Sequence, residues 1–438
     1  MPSPLPAQRR SVPAPAACAL ALGVMLFAGN GAALAQKGPS TQSPAPAESP
    51  TETPVLVDEN AISFAEGLQP MIERLHAQED LSDADRFTLA GAQFLRGVEL
   101  ALQTRYRLGV TDGLDLLPVL RLELPTNPAP EPFSGAFIET IFADLDSQMV
   151  AARETLGRID DGAEFTATID LSSVWMDANA DGVRQDAEQL LAIGAVAIGG
   201  RGALAGVNDS PGALVIDFDQ SDAAWLAAYT HLLSTTSDMV LAFAPAATID
   251  EVLGAGAQLD AWSRRNNPGF TGDDALWVDL AATVIRVLEQ QPDAERTQSA
   301  RLHMLAMVEE NRTFWQRVGA ETDQTREWIP NDGQTSGLGI DFPGGTGPAW
   351  LAVLDDLEAL LEGELLAPHW RLGTRGGTHG INIRTMLDAP QSYNLLGIIQ
   401  GAGILYAVEE GTLISDANWR SFETLVGRGR GFFPFLLN

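Results

Sequence analysis

A mainly α fold, a multi-helix domain with a short two-stranded β element, follows from three features of the sequence. Apolar residues recur at three- and four-residue spacing through most of the long segments. Only the stretches at about 165–171 and 213–218 have the character of strands, the first by alternation and the second as a short apolar run. Serine, aspartate and glycine stand where helices of that spacing begin and end.

Taken in order, Phe64, Leu68, Met71, Ile72 and Leu75 share one helical face, and Pro70 is expected to kink or split that segment. The next helix is delimited at both ends: Ser82 and Asp85 have the spacing of a capping box, and Gly109 can end it. Its expected buried stripe is Phe87, Gly91, Phe94, Val98, Leu102 and Tyr106, with Gly91 and Gly97 allowing a neighbour to approach closely. After the proline-rich PTNPAPEP at 125–132, Ile138, Ile141, Leu145, Met149, Ala152 and Leu156 repeat the helical spacing.

The period then changes. Phe165, Ala167, Ile169 and Leu171 alternate with Thr166, Thr168, Asp170 and Ser172, and ALVIDF at 213–218 is the strand that can pair with them. Ser221 is the expected cap of a helix burying Trp225, Tyr229, Leu232, Leu233, Thr236, Val240 and Phe243. Further helices are expected at about 274–290, 294–318, 348–362 and 391–409, with loop elsewhere. Trp225, Trp277 and Trp350 sit at helical spacing and read as core, and His76, His231 and His303 as packing or surface residues. The glycine-rich stretches DGQTSGLGIDFPGGTGP and RLGTRGGTHG flank the helix at 348–362 and are long enough to carry function.

Three regions divide the chain. Residues 1–35 have the form of a signal peptide, with Arg9 and Arg10, an apolar stretch and Ala33-Leu34-Ala35, so cleavage is expected after Ala35. Residues 36–57 are a linker rich in proline, serine and threonine, and 58–438 form the helical domain. A periplasmic or secreted protein follows, with no membrane span after cleavage. The single cysteine, Cys18, leaves with the signal, which rules out disulfides and cysteine metal sites in the mature chain. The chain carries 27 basic and 58 acidic residues. Losing Arg9 and Arg10 and no acid takes its net charge of -31 to -33, a surface that repels nucleic acid and suits a cation. No feature specifies a protein partner.

One motif carries chemistry. Residues 177–188 read DANADGVRQDAE, and alternating oxygens along such a tightly curled loop converge on a hard divalent cation. The segment resembles the EF-hand calcium loop. That resemblance implies calcium held by Asp177, Asn179 and Asp181, the Val183 carbonyl, Gln185 directly or through water, and both carboxylate oxygens of Glu188, with Gly182 at the sharp turn. Arg184 stands where EF-hands place an apolar residue. DFDQSD at 217–222 lacks the glycine and closing glutamate of a second loop, and the segment leading in is a strand. The implied site is therefore a lone structural one on a strand-loop-helix, and the competing reading is a polar turn capping a helix that begins near Gln185. The order of helices, mid-chain loop and WLAAYTHLL helix resembles exported bacterial proteins of no assigned activity.

Catalytic signatures are missing: the five histidines form no HExxH, and no GxSxG occurs. Arg375, His379 and Arg384 in RGGTHGINIR have the makings of an anion site, which leaves a hydrolase or a ligand-binding protein built on the glycine-rich loops as one alternative. A cell-envelope interaction module is another.

Overall fold

The computed structural model describes residues 60–111, 122–197, 214–267, 273–323, 326–373, 377–427 and 437. The expected signal peptide, the linker, Ala213 and Arg375 lie outside the described residues. Pro70 kinks nothing, contrary to expectation: helix α1 (Leu68–His76) starts two residues before it, so the proline falls in the first turn, where its missing amide has no partner to lose. Helix α2 (Asp83–Arg107) begins with the capping box that its sequence encodes. Ser82 Oγ accepts from the Asp85 amide at 3.1 Å, and the Asp85 carboxylate accepts from the Ser82 amide at 3.2 Å. Helix α3 (Ala136–Leu156) packs along α2. A Cβ on Gly97 would lie 2.9 Å from Leu145 Cδ1, so that glycine sets the close approach; Gly91 faces open space and does not.

Strand β1 (Ala167–Asp170) leads toward the loop at 177–188, beyond which lies helix α4 (Leu190–Ala197). Strand β2 (Val215–Phe218) pairs antiparallel with β1, Ala167 opposite Phe218 and Asp170 opposite Val215, as the alternation of β1 requires. Helix α5 (Gln220–Ala242) follows at once. Its cap is Asp219 rather than Ser221, because Asp219 and Asp222 have the three-residue spacing of a reciprocal box. The expected apolar stripe of α5 is only partly buried, apart from Phe243. Its innermost residues are small or polar: Ala224, Ala228, Thr230, Ser234, Thr235 and Ser237. Packed against both α3 and α8 (described below), α5 is a central helix, and small side chains let its neighbours come close.

Helix α6 (Ala246–Asn266) was not anticipated, since it buries only Thr248, Ile249, Val252 and Gly256 and so gives a thin periodic signal. It pairs with α7 (Asp273–Leu288), and there Trp277 is 66 % exposed, against its expected place in the core. Trp350 is buried as expected. Helix α8 (Ala294–Val318) begins at Asp293, whose carboxylate caps Glu295 and Arg296. Helix α9 (Thr346–Leu361) and strand β3 (Leu365–Leu366) lead to β4 (His379–Ile381) and α10 (Ile383–Asp388). The single helix expected at 391–409 is broken. Helix α11 (Leu395–Gln400), a 3-10 stretch over Ala402–Ala407 and strand β5 (Val408–Glu410) replace it, because Gly401 adopts φ +103°. Strand β6 (Thr412–Leu413) and α12 (Ala417–Val426) complete the described elements. β4 pairs antiparallel with β5 and β3 parallel with β6, two further small sheets that the sequence pattern did not mark.

Between α5 and α8 lies a polar seam. His231 Nδ1 and His303 Nδ1 are 2.8 Å apart, so one ring nitrogen donates and the other must be unprotonated. Arg153 on α3 donates to the Thr230 carbonyl and to Ser234, and Ser234 donates to Asp146; Arg296 pairs with Asp238. Burial, reinforced by Arg153, depresses the His231 pKa to about 3; it also lowers that of His303, which Asp238 and Asp146 partly restore. In the unfolded chain both rings protonate near the ordinary histidine value of about 6.5. Stability is therefore full above that value and is lost as pH falls toward the folded pKa. Allowing for partial exposure, His231 accounts for a loss on the order of 1 kcal/mol between pH 7 and 5. Urea melts at the two pH values are expected to show a smaller acid loss for His231→Asn than for the wild type, and an equal loss would mean that the pair does not carry it.

Candidate metal site

The loop at 177–188 is closed at its base. Trp175 and Gln189 form an antiparallel bridge, the Met176 amide donates to the Glu188 carbonyl at 2.8 Å, and the Leu190 amide donates to the Val174 carbonyl at 3.0 Å. Within it most of the acidic side-chain oxygens are aimed by backbone amides of the loop. Asp177 accepts from the amides of Asp181 (3.0 Å) and Gly182 (2.9 Å), Asn179 Oδ1 from Asp181 (3.0 Å), and Asp181 Oδ1 from Val183 (2.7 Å). The curl requires left-handed backbone at Gly182 (φ +70°), which glycine takes without strain, and at Ala180 (φ +58°).

Glu188 closes the ring. Its Oε1 accepts from the Ala178 amide and its Oε2 from the Gln185 amide, both at 3.0 Å, and the residue is buried. Burial raises its pKa; the two amides oppose this, and nearby Asp177 and Asp181 add to it. Gln185 Nε2 lies 3.4 Å from Asp181 Oδ2, and Asn179 Nδ2 donates to the same oxygen at 2.9 Å. The helix expected to begin near Gln185 does not: a 3-10 turn spans Asp186–Glu188, Gln189 is extended, and α4 starts at Leu190. Arg184 reaches away from the acids to donate to the Ser172 carbonyl at 2.7 Å. Among the described residues no arginine forms an ion pair with Asp177, Asp181 or Glu188.

Helix α2 supplies a support that the motif does not reveal. Glu99 Oε1 accepts from the Asp177 amide at 2.7 Å, and Gln103 Nε2 donates to the Asp177 carbonyl at 2.8 Å. Glu99 is buried and paired with Arg96; burial pushes its pKa up against that pairing. These residues stand four apart on one face of α2, but nothing local to the sequence links that face to a loop more than 70 residues away.

A second acidic group, also unmarked by motif, lies where β2 meets α5. Glu321, Asp323 and Glu327 each place an oxygen within 4.8 Å of the others, an arrangement that can hold a metal ion. Gln334 from the glycine-rich loop donates to Glu321 at 3.2 Å and Glu327 at 3.1 Å, and Ser221 donates to Glu321. Asp217 is held by both arms of Arg326, and the DFDQSD segment, unable to form a second calcium loop, supplies the cap of α5 instead. A cleft of about 330 Å³ is lined by Glu164, Asp217, Asp219, Asp323 and Glu327. Burial is the largest cause of the raised pKa values of Asp219, Asp222 and Glu321, with repulsion from neighbouring carboxylates, Asp323 and Glu327 among them, adding to it.

Among the described residues, the other sequence candidates His379 and Arg384 share no hydrogen-bond or ion-pair partner. His379 is exposed in β4 opposite Glu410, its Nδ1 3.1 Å from Thr378 Oγ1. Arg384 pairs with Glu362 at 3.2 Å and Asp388 at 3.4 Å, acids that Arg301 shares. Neither residue lines the cleft. Comparison of the chain with protein-family models, with characterised proteins and with solved structures finds no match.

A carboxylate whose pKa is raised on folding favours the fold below its unfolded pKa, and that advantage is lost as pH rises through the folded value. Asp222→Asn keeps an oxygen to accept the Asp219 amide and removes a buried negative charge. It is expected to raise the melting temperature wherever the native residue is ionised and to lose that advantage as pH falls and the native residue takes up its proton. Melting temperatures that exceed the wild type's at no pH across an acid-to-alkaline series would mean that Asp222 is not under electrostatic strain.

Proposed function

We propose that this is an exported calcium-binding protein in which the loop at 177–188 holds one structural ion. The observation that supports the reading is the preformed curl, in which backbone amides orient Asp177, Asp181 and Glu188 while the loop's own Arg184 turns away. A carboxylate oxygen has more than one acceptor direction, so the amides that orient these groups leave lone pairs for a cation. Asp177, Asn179, Asp181 and Glu188 would hold the ion with the Val183 carbonyl, and Gln185 would reach it directly or through water. Bound calcium supplies positive charge where the loop concentrates negative charge. Glu99 and Gln103 fix the backbone at Asp177, and the bridge from Trp175 to Gln189 fixes the other end. The loop therefore joins α2, β1 and α4, and neutralising its acids stabilises that junction. The signal-peptide features of residues 1–35 support an exported location, where calcium reaches the concentrations such sites need.

Sites of this kind in exported modules have dissociation constants of about 0.1 to 1 mM, so about 10 mM calcium adds roughly 1 to 3 kcal/mol. Thermal melts are expected to rise with calcium and fall with chelator. Glu188→Gln is expected to remove most of that response by replacing a charged bidentate ligand with a neutral one. Asp186→Asn and Glu327→Gln should leave it intact, the first because Asp186 is not at a ligand position and the second because Glu327 belongs to the other acidic group. Equal losses in all three variants would point to diffuse charge, and no calcium response in the wild type would reject the site.

A further inference from the structure

The segment Leu395-Leu-Gly-Ile-Ile-Gln-Gly-Ala-Gly-Ile-Leu-Tyr-Ala-Val408 contains no charged residue, yet much of it faces outward. Leu396 is 78 % exposed, Leu405 66 % and Ile399 61 %. Leu396 and Ile399 lie three apart on α11 and so share a face, while Ile404 and Ala407 are buried and anchor the following 3-10 stretch. The preceding chain packs directly against this segment. Trp370 Nε1 donates to the Ile399 carbonyl at 2.8 Å, His369 Nε2 lies 3.0 Å from the Ile398 carbonyl, and the Arg371 side chain runs beside Gly401. Trp370 is thereby fixed with its ring largely in solvent, and the Arg371 guanidinium sits 5.0 Å from the centre of that ring.

Leu396, Ile399 and Trp370 are thus neighbours with a cation beside them, and Leu405 is exposed on the adjoining stretch of the same uncharged segment. In a chain with 58 acids, no carboxylate pairs with Arg371 among the described residues. We propose that this surface docks on a phospholipid bilayer, Leu396, Ile399 and Leu405 entering the acyl boundary while Trp370 lies at headgroup level and Arg371 meets a lipid phosphate. Tryptophan is enriched at that depth because its ring is apolar and its N–H polar. The Arg371 charge complements a phosphate, and a zwitterionic lipid presents phosphate without the net negative charge that this acidic chain would be repelled by. A second copy fits less well, since each partner brings the same large excess of acidic residues. Glu409 and Glu410, which follow the segment, are exposed and set its polar border.

Flotation of the exported chain, purified as the cell processes it, with phosphatidylcholine vesicles tests this. Wild type is expected to float with the vesicles. Leu396→Ser with Ile399→Ser should weaken partitioning about tenfold or more without altering the melting curve, and Arg371→Gln about fivefold. No flotation, or equal flotation of wild type and double variant, overturns the proposal. So does a sedimentation-velocity dimer that the double variant abolishes while no chain binds vesicles, which would assign the surface to self-association. None of these outcomes depends on calcium at 177–188.

Discussion

A 23-residue helix buried along nearly its whole length constrains everything around it. Helix α5 can lie between α3 and α8 only if its inner positions are small, and alanine, serine and threonine fill them. Small polar residues bring hydroxyls into the interior, and each needs a partner. Thr230 and Thr235 bond back to carbonyls one turn earlier on α5, while Ser234 joins Arg153 and Asp146. The close approach of α8 then forces His231 and His303 together, which is why the interface holds two rings that resist protonation.

The same helix reaches the candidate site through its first residues. β2 runs straight into α5, and β1, paired with β2, runs into the 177–188 loop. Thr168 donates to Asp217 across that ladder at 2.6 Å, and the Asp217 amide donates to the Arg326 carbonyl at 3.1 Å. The start of α5, the acidic group at 321–327 and the loop at 177–188 are therefore tied to one small sheet, and excess negative charge collects at both ends of it.

Much of this was legible in the sequence where the determinants are local. The capping box at Ser82, the span of α8, the alternation of β1 and the curl at Gly182 each depend on residues within a few positions of one another. The failures share a cause as well. The inner face of α5 escaped notice because burial there follows from neighbours and not from hydrophobicity. Helix α6 packs mainly on one partner and leaves Leu259 and Trp262 exposed, so its apolar residues never formed a stripe. The break at Gly401 turned on a backbone angle that an apolar run conceals. Within the site, the oxygens of the motif were readable, whereas Glu99, Gln103 and the carboxylates at 321–327 come from distant segments that only the fold brings together.

The ion itself is the direct test of whether the loop does what its geometry allows. Terbium occupies calcium sites of oxygen ligands and emits when a nearby tryptophan is excited, and Trp175 is buried two residues before Asp177. The account predicts sensitised emission that is displaced by calcium and disappears in both Trp175→Phe and Asp177→Asn. Emission that is absent, or that persists unchanged in those two variants, would contradict it.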